Sequence, residues 1–258
     1  MNKTIRVAAL LLLIMLVLTG CGFTRRVVNR AAIRLDGAHT TVTAEGAMGQ
    51  GPYSLSIEGL VFLADGDVTL TVKPADGAPR VEVDCAKALV DRYALKAEIT
   101  GDKIIVKTNE RSPFLTDSFH VTVYAPCEYI RVEGDYILDV DASNVSRFGL
   151  NIAGAADGKV SNLSVEKTVL VVDGAASLTL SGASDTLSCK LNGAGTIDAK
   201  ELSAKEADLT INGAGTIRAT ATDVLDAQIN GTGTISYYGD PDDISQQING
   251  MGTIKGAE

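Results

Sequence analysis

The sequence predicts an all-β protein whose C-terminal half is a parallel β-solenoid with about 19–20 residues per coil, a coil being one turn of the solenoid. A seven-residue motif, apolar-Asn-Gly-x-Gly-Thr-Ile, occurs four times, and its asparagines are 20, 18 and 19 residues apart. β-Branched residues and glycines fill the intervals without helical spacing. A period this short excludes a helix-pair repeat and is typical of one solenoid turn. The motif asparagines are Asn192, Asn212, Asn230 and Asn249.

Each coil can bury its apolar face only against neighbouring coils, so we expect equivalent residues to stack in register. The asparagines then form an amide ladder at the strand spacing of about 4.8 Å. The motif glycines suit a sharp corner or a close approach between coils. One expected core column is Ile197, Ile217, Ile235 and Ile254, and a second is Leu191, Ile211, Ile229 and Ile248. The expected hydroxyl ladder is Thr196, Thr216, Thr234 and Thr253.

Two degenerate copies of the motif lie upstream, around Gly154 and Gly174, which brings the readable coils to six. An alternative interpretation treats each Asn-Gly pair as a two-residue hairpin turn, since that dipeptide is the strongest short-range hairpin signal. It would make this half an antiparallel meander. That alternative does not explain why all seven motif positions recur in one phase, whereas stacking in register requires it.

The N-terminal half shows period-two alternation that predicts six further strands separated by turn signals rich in Gly, Pro and Asp. Only residues 85–93 indicate a short helix. No linker rich in Pro or Ser separates this half from the repeats, so one β-solenoid domain is expected over residues 46–258. The predicted strands are 53–57, 68–72, 80–83, 95–99, 103–107 and 120–124.

The amino terminus has the features of an export signal. Lys3 and Arg6 precede an apolar run over residues 7–18, which is shorter than the roughly 20 residues of a membrane-spanning helix. Residues 1–20 are therefore predicted to be cleaved. Leu18-Thr19-Gly20-Cys21 resembles the bacterial lipobox, which implies a lipoprotein acylated on Cys21. Residues 21–45 are predicted to be a tether to the cell membrane or outer membrane.

Charge and cysteine content exclude several classes of function. Without Lys3 and Arg6 the chain carries 21 basic and 32 acidic side chains, a formal net charge of −11, and it has no basic cluster to bind nucleic acid. Export permits disulfides, but three cysteines remain after Cys21 and none has CxxC spacing, so buried free thiols are expected. These cysteines are Cys85, Cys127 and Cys189.

Candidate catalytic and metal-binding residues are few, and no catalytic residue, metal site or cofactor is predicted. Ser118 and His120 lie on one face of a predicted strand, but no third group completes a nucleophile and base arrangement. The glycine-rich motifs lack the Lys-Ser or Lys-Thr pair of a phosphate loop. Aspartates at 240, 242 and 243 suggest calcium only weakly, because the other coils do not repeat them. Tyr237 and Tyr238 suit either ligand contact or packing.

Several segments together resemble the bacterial family called putative auto-transporter adhesin, head GIN domain. The segments are VEVD at 81–84, residues 89–93, ITGDKIIV at 99–106, VTVYAP at 121–126 and the Asn-Gly-x-Gly-Thr-Ile copies. The resemblance runs from about residue 50 to the end. It implies a right-handed parallel β-helix on an exported protein with an adhesive role. No membrane barrel follows the repeats, so a lipid on Cys21 is expected to serve as the anchor.

Two function classes remain open. The first is a non-enzymatic module, adhesive or structural, that presents flat repeat faces to a surface glycan or protein and whose open last coil near Ile254 offers an edge to another copy. The second is a polysaccharide-active enzyme of the lyase type, since parallel β-helices host such enzymes. The outward repeat positions are chiefly Thr, Ser, Ala and Asn, and no cluster of carboxylates with Lys or Arg is visible in phase, which favours the first class.

Overall fold

A computed structural model describes residues 33–35, 37–48, 51–62, 67–116 and 118–257. The protein is 77% strand and 3% helix, with a β-solenoid of about 6 turns in its C-terminal half, so the predicted fold class is confirmed. The predicted signal peptide and Cys21 lie outside the described residues. No helix within the described ranges is both long and apolar enough to span a membrane.

The described residues form sixteen strands and one helix. In chain order they are β1 (Ile33–Leu35), β2 (His39–Glu45), β3 (Tyr53–Phe62), β4 (Asp67–Val72), β5 (Arg80–Ala86), α1 (Lys87–Tyr93), β6 (Lys96–Thr100), β7 (Lys103–Thr116), β8 (Ser118–Tyr124), β9 (Cys127–Asp141), β10 (Arg147–Val172), β11 (Ala175–Leu191), β12 (Ala194–Ile211), β13 (Ala214–Ile229), β14 (Thr232–Tyr238), β15 (Asp243–Ile248) and β16 (Met251–Gly256).

The repeats stack as parallel strands. β9, β10, β11, β12 and β13 pair in that order, β13 then pairs with both β14 and β15, and β14 pairs with β16. Ile197, Ile217, Ile235 and Ile254 are register partners in successive coils. The antiparallel meander is therefore wrong, because each Asn-Gly pair lies at a corner within one coil.

Coils of 20 and 18 residues stack because irregular pairing at one corner absorbs the difference. Between β12 and β13 the register shifts from Ala199 to Ser203 and again from Ala204 to Glu206. The segments on either side of this corner stay in register, so both faces continue uninterrupted. Variation in coil length is thereby confined to one corner, and the motif corner is identical from coil to coil.

The N-terminal half extends the stack out of chain order. β3 pairs in parallel with β7 and β9, and β4 pairs in parallel with β8 and β9. The layer built from β7 and β8 therefore lies below the layer built from β3 and β4. Antiparallel strands then pair with this lowest layer, β6 with β7 and β5 with β8, and β2 pairs with β5. Antiparallel strands thus extend the parallel stack at this end of the solenoid.

One hydrophobic core runs through both halves, from Leu35 of β1 to Ile235 of β14. The predicted strands fall within or overlap β3, β4, β5, β6, β7 and β8, and the predicted helix contains α1. The predicted tether requires a correction, because β1 and β2 lie within residues 21–45. Leu35 is 2% exposed, so hydrophobic burial holds this segment in the domain.

Candidate functional site

The motif asparagines form a continuous ladder of side-chain hydrogen bonds at one corner. Nδ2 of Asn212 donates to Oδ1 of Asn192 at 2.7 Å, and Asn230 and Asn249 each repeat this bond to the preceding asparagine at 2.8 Å. Asn192 donates to the Asp173 carboxylate at 2.8 Å. Every asparagine side chain therefore donates in the same direction along the stack, toward the Asp173 carboxylate. The negative charge of that carboxylate strengthens the hydrogen bond from Asn192.

The ladder amides are exposed, but they bond chiefly to one another. Glutamines on the adjoining face add to the ladder, since Gln228 and Gln247 donate to Asn230 and Asn249 at 3.1 and 3.2 Å. A ligand at this corner would compete with bonds already made. The geometry thus assigns the ladder to holding the coils in register, with little capacity left for recognition.

A regular polar face begins directly after that corner. The central column consists of hydroxyls in register, and it is flanked by a column of small residues on one side and a mixed polar column on the other. We call this surface the threonine face. Its central column is Ser177, Thr196, Thr216, Thr234 and Thr253; its small column is Ala175, Ala194, Ala214 and Thr232 and ends in the exposed Met251; its polar column is Thr179, Asp198, Arg218, Lys255 and the buried Ser236.

The threonine face offers hydroxyls at the spacing of parallel strands, about 4.8 Å. The threonines of the inner coils are partly exposed, and Thr253 in the last coil is exposed. Among the described residues, an ion pair joins two members of the polar column, Asp198 and Arg218, at 3.6 Å. Neutral hydroxyls in a flat periodic row suit a ligand that itself repeats, such as a polysaccharide.

The isoleucine columns behind the motif are core rather than contact surface. Ile197, Ile217 and Ile235 are fully buried, whereas Ile254 in the last coil is partly buried. The second column ends in the same way, since Leu191, Ile211 and Ile229 are fully buried but Ile248 is 46% exposed. The last described coil therefore exposes residues that its predecessors bury.

A polar groove at the irregular corner was missed by sequence reasoning. It is lined by side chains that include Ser164, Glu166, Asp185, Ser203 and Lys205. Asp185 and Lys205 form an ion pair at 2.7 Å. The expectation that carboxylates and basic groups do not cluster in phase is therefore corrected. The three charged residues of the groove each lie seven positions before Asp173, Asn192 or Asn212, so aligning the coils on the motif would have revealed the cluster.

The groove is nonetheless poorly suited to acid-base chemistry. A hydrogen bond from Lys205 to Asp185 and the charge of that carboxylate raise the pKa of the lysine. A lysine that stays protonated is a poor general base. Within the described residues no group of three His, Cys, Asp or Glu side chains is placed to hold a metal ion.

The two histidines lie on one sheet in the N-terminal half. Nδ1 of His120 is 2.8 Å from the Thr69 hydroxyl, and Asp84 is the register partner of His120. Nδ1 of His39, in β2, lies 3.7 Å from Oδ1 of Asp84. The structure therefore places His120 between Thr69 and Asp84, which lie on the two neighbouring strands. These neighbours differ from the Ser118 pairing that the sequence suggested.

The tyrosines and aspartates near the end of the chain have separate surroundings. Tyr237 packs against the core in the register position of Ala219. Tyr238 lies on the surface side, with Nζ of Lys200 5.6 Å from the centre of its ring. Asp243 begins β15, and the turn before it contains the buried Pro241. Packing therefore explains Tyr237, and Tyr238 is the one of the pair that a ligand can reach.

The cysteines are buried free thiols, which confirms that expectation. Burial is the main cause that raises the pKa of each thiol to about 12, with Asp84 adding to the shift of Cys85 and Asp208 to that of Cys189. The thiolate is the reactive form. These three side chains are therefore inert in the folded protein.

We expect the native protein to show no reaction of Cys85, Cys127 and Cys189 with a thiol reagent at mildly alkaline pH. All three should react in denaturant. Because the native state favours the protonated thiols, the free energy of unfolding should fall as pH rises above 9.0, the ordinary thiol pKa, toward 12. Thiol titration with and without denaturant, and urea unfolding across this pH range, measure both effects. Rapid reaction in the native state would show that the core opens easily.

Comparisons with known proteins agree with the fold. The family described as "putative auto-transporter adhesin, head GIN domain" matches residues 63–241. A crystal structure of a putative adhesin from Bacteroides fragilis has a TM-score of 0.67 at 18% identity, covering 88% of this chain and 100% of its own. A putative lipid binding protein from Parabacteroides distasonis has a TM-score of 0.59 at 22% identity, with the same two coverages.

A putative adhesin from Parabacteroides merdae gives a TM-score of 0.54 at 17% identity, covering 88% of this chain and 99% of its own. No curated protein matches the chain at a significant level. At these identities the solved structures establish the fold alone. The family match spans more than half of the sequence and includes the first three copies of the Asn-Gly-x-Gly-Thr-Ile motif. The chain therefore belongs to the putative auto-transporter adhesin, head GIN domain family.

Proposed function

We propose that this protein is a lipid-anchored adhesive module of the bacterial envelope that binds a repetitive polymer, such as a surface glycan, on its threonine face. The observation that carries the proposal is the column of hydroxyls in register from Ser177 to Thr253. A polymer laid along the stack would meet the same hydroxyl environment in every coil. Many weak equivalent contacts on one rigid scaffold give useful total affinity.

The anchor is part of the same proposal. Cys21 follows an export signal and a lipobox-like sequence, and two or more acyl chains on it would hold the protein stably at a membrane. The adhesin-like family supports a surface or envelope location. We expect Cys21→Ser to move the full chain from the membrane fraction to the soluble fraction. Mass spectrometry of the wild-type N-terminal peptide should find residue 21 acylated, and an unmodified peptide would refute the anchor.

The test of the ligand face is a binding screen of the full chain, extracted from cells in detergent, against glycan and host-matrix arrays. Thr216→Lys with Thr234→Lys should abolish binding, because two long charged side chains would interrupt the hydroxyl column. The matched control is Ser188→Lys with Gln228→Lys, which adds the same charge at neutral, partly exposed positions on another face. Equal loss of binding in both variants would refute the threonine face as the ligand-binding surface.

A polysaccharide-active enzyme is the second candidate function, and the polar groove is the observation that favours it. Glu166, Asp185 and Lys205 come from three successive coils, as acid-base groups do on a repetitive scaffold. Product analysis of every glycan that binds distinguishes the two functions. Cleaved or unsaturated products that disappear in Asp185→Asn would support the enzyme, whereas binding without turnover supports the adhesive module.

A further inference from the structure

The threonine face is continuous with the surface of the N-terminal half. Among the described strands, eleven pair side by side in the order β16, β14, β13, β12, β11, β10, β9, β4, β8, β5 and β2. Five of these strands, β11 to β14 and β16, carry the threonine face. The same sheet therefore passes from the solenoid onto the N-terminal half, and all eleven strands share one outward surface.

The register between strands continues the central column of the threonine face across this surface. Each added member is at least partly exposed, and all but Ile137 carry a hydroxyl, an imidazole or a carboxylate. Starting from the partner of Ser177, the added members are Asp157, Ile137, Thr69, His120, Asp84 and Thr41. The row of polar side chains that begins at Thr253 thus reaches β2.

The polar column continues beside it, and its charges are balanced. The added members are Lys159, Asp139, Thr71, Thr122, Glu82 and Thr43. Asp139 lies 3.4 Å from Nζ of Lys159, and Glu82 lies 3.3 Å from a guanidinium nitrogen of Arg80. Together with the pair of Asp198 and Arg218, every described carboxylate of this column therefore has a cation beside it.

This balance of charge favours a neutral ligand. Paired carboxylates leave little negative charge to attract a polycation, and the net charge of −9 on the whole chain repels a polyanion. Threonine hydroxyls both donate and accept hydrogen bonds, as the hydroxyls of a neutral sugar do. A neutral glycan thus fits the surface better than a charged polymer.

The spacing of the strands selects the shape of the glycan. Neighbouring strands lie about 4.8 Å apart, which is close to the rise of one sugar in an extended β-1,4-linked chain. Such a chain laid across the strands meets a new strand with each sugar. An α-1,4-linked chain coils and does not keep this correspondence.

We propose that the site takes an extended, neutral β-1,4-linked glycan that lies across the strands and reaches from the threonine face onto the N-terminal half. The inference rests on the proposed adhesive function and adds the class of ligand and the extension of its site. A longer chain engages more strands at once, so its affinity rises with its length. Ile137 contributes an apolar contact for the C–H groups of a sugar ring.

The length of the ligand provides the first test. Isothermal titration calorimetry of the full chain in detergent compares β-1,4-linked xylose oligomers that span the threonine face with oligomers twice as long. We expect the longer oligomers to bind at least about tenfold more tightly. The control is α-1,4-linked glucose oligomers of the same two lengths, which should show no such gain. Equal affinity of the two β-linked lengths, or an equal gain with the α-linked oligomers, would overturn the proposal.

A variant outside the threonine face tests the extension. Thr71→Lys places a long charged side chain at a partly exposed position on β4. The affinity of the longer oligomer should fall to that of the shorter one, which still binds the intact threonine face. The matched control is Ser56→Lys, which replaces a partly exposed hydroxyl on β3, outside the series of eleven strands. If the longer oligomer binds Thr71→Lys as tightly as it binds the wild type, the ligand does not reach the N-terminal half.

The double variant Thr216→Lys with Thr234→Lys distinguishes failure of this inference from failure of the proposed function. It should abolish binding of both oligomer lengths. If both still bind, the threonine face is not the binding surface and the proposed function fails as well. If the wild type binds another glycan through the threonine face but neither xylose oligomer, only the ligand class inferred here is wrong. The length series uses the wild-type chain, so it decides the question even if Thr71→Lys does not fold.

Discussion

Gly213→Val is expected to prevent the solenoid from folding, with a loss of more than about 4 kcal/mol in the free energy of unfolding. A Cβ atom added to Gly213 would lie 1.8 Å from the carbonyl oxygen of Gly193 and 2.6 Å from that of Asn192. Both atoms belong to the backbone of the coil below, so no side-chain rotation relieves the overlap. The coils would have to separate, which would break the hydrogen bonds and the core contacts around the corner.

The same close approach recurs along the corner. A Cβ on Gly231 would lie 1.9 Å from Gly213 O, and one on Gly250 would lie 1.9 Å from Gly231 O. Close packing of backbones therefore explains the first glycine of the motif. The second glycine of the motif meets the same demand, since a Cβ on Gly215 would lie 2.1 Å from Gly195 O. Gly195 has in addition a positive φ of 144°.

Ala214→Thr is the matched control for Gly213→Val. It adds a β-branched residue one position further along, where the next coil carries Thr232 in the same register. We expect its urea unfolding midpoint, followed by circular dichroism, to stay within about 0.5 kcal/mol of wild type. If Gly213→Val unfolds at the same urea concentration as Ala214→Thr, the coils are not packed as closely as the structure indicates.

Ile217→Ala should lower the free energy of unfolding by about 2–5 kcal/mol, the range for large-to-small changes in a packed core. Ile217 is fully buried between Ile197 and Ile235, its register partners below and above. Both neighbours are fixed by the strands that carry them, so the structure cannot collapse into the space. The cavity would remain inside the stack.

Ile254→Ala provides the comparison, because it removes the same atoms at the end of the same column. Ile254 is only partly buried. We expect it to cost less than half as much as Ile217→Ala in urea unfolding of the monomer. Equal losses would show either that the last coil is covered in solution or that the column is not a continuous core.

The repeats could be predicted in detail from the sequence because stacking in register makes each position meet its own equivalent. The period of Asn192, Asn212, Asn230 and Asn249 was sufficient to predict the parallel coils and the buried isoleucines. The alternating strands of the N-terminal half and the helix that ends at Tyr93 could also be predicted, since both depend on local patterns. The family followed from those segments together with the motif.

Other features required the tertiary structure, because they depend on which distant segments become neighbours. Local patterns do not reveal that β7 and β8 lie below β3 and β4. They also do not reveal that β1 and β2, which lie within the predicted tether, join the sheet. Asp84 meets His39 and His120 only because β2, β5 and β8 pair. The polar groove is different, because its charged residues recur at the same spacing as the motif and could have been found by aligning the coils.

The sequence by itself determined the repeating part of this protein, its coil period, its parallel stacking and the identity of its core columns. These follow from a short pattern whose copies must pack on each other. Tertiary structure alone decided the order of the N-terminal layers and the pairing of β1 and β2 with that part of the sheet. The physical reason is that pairing between dissimilar segments depends on the full set of competing long-range contacts, which no periodicity in the chain encodes.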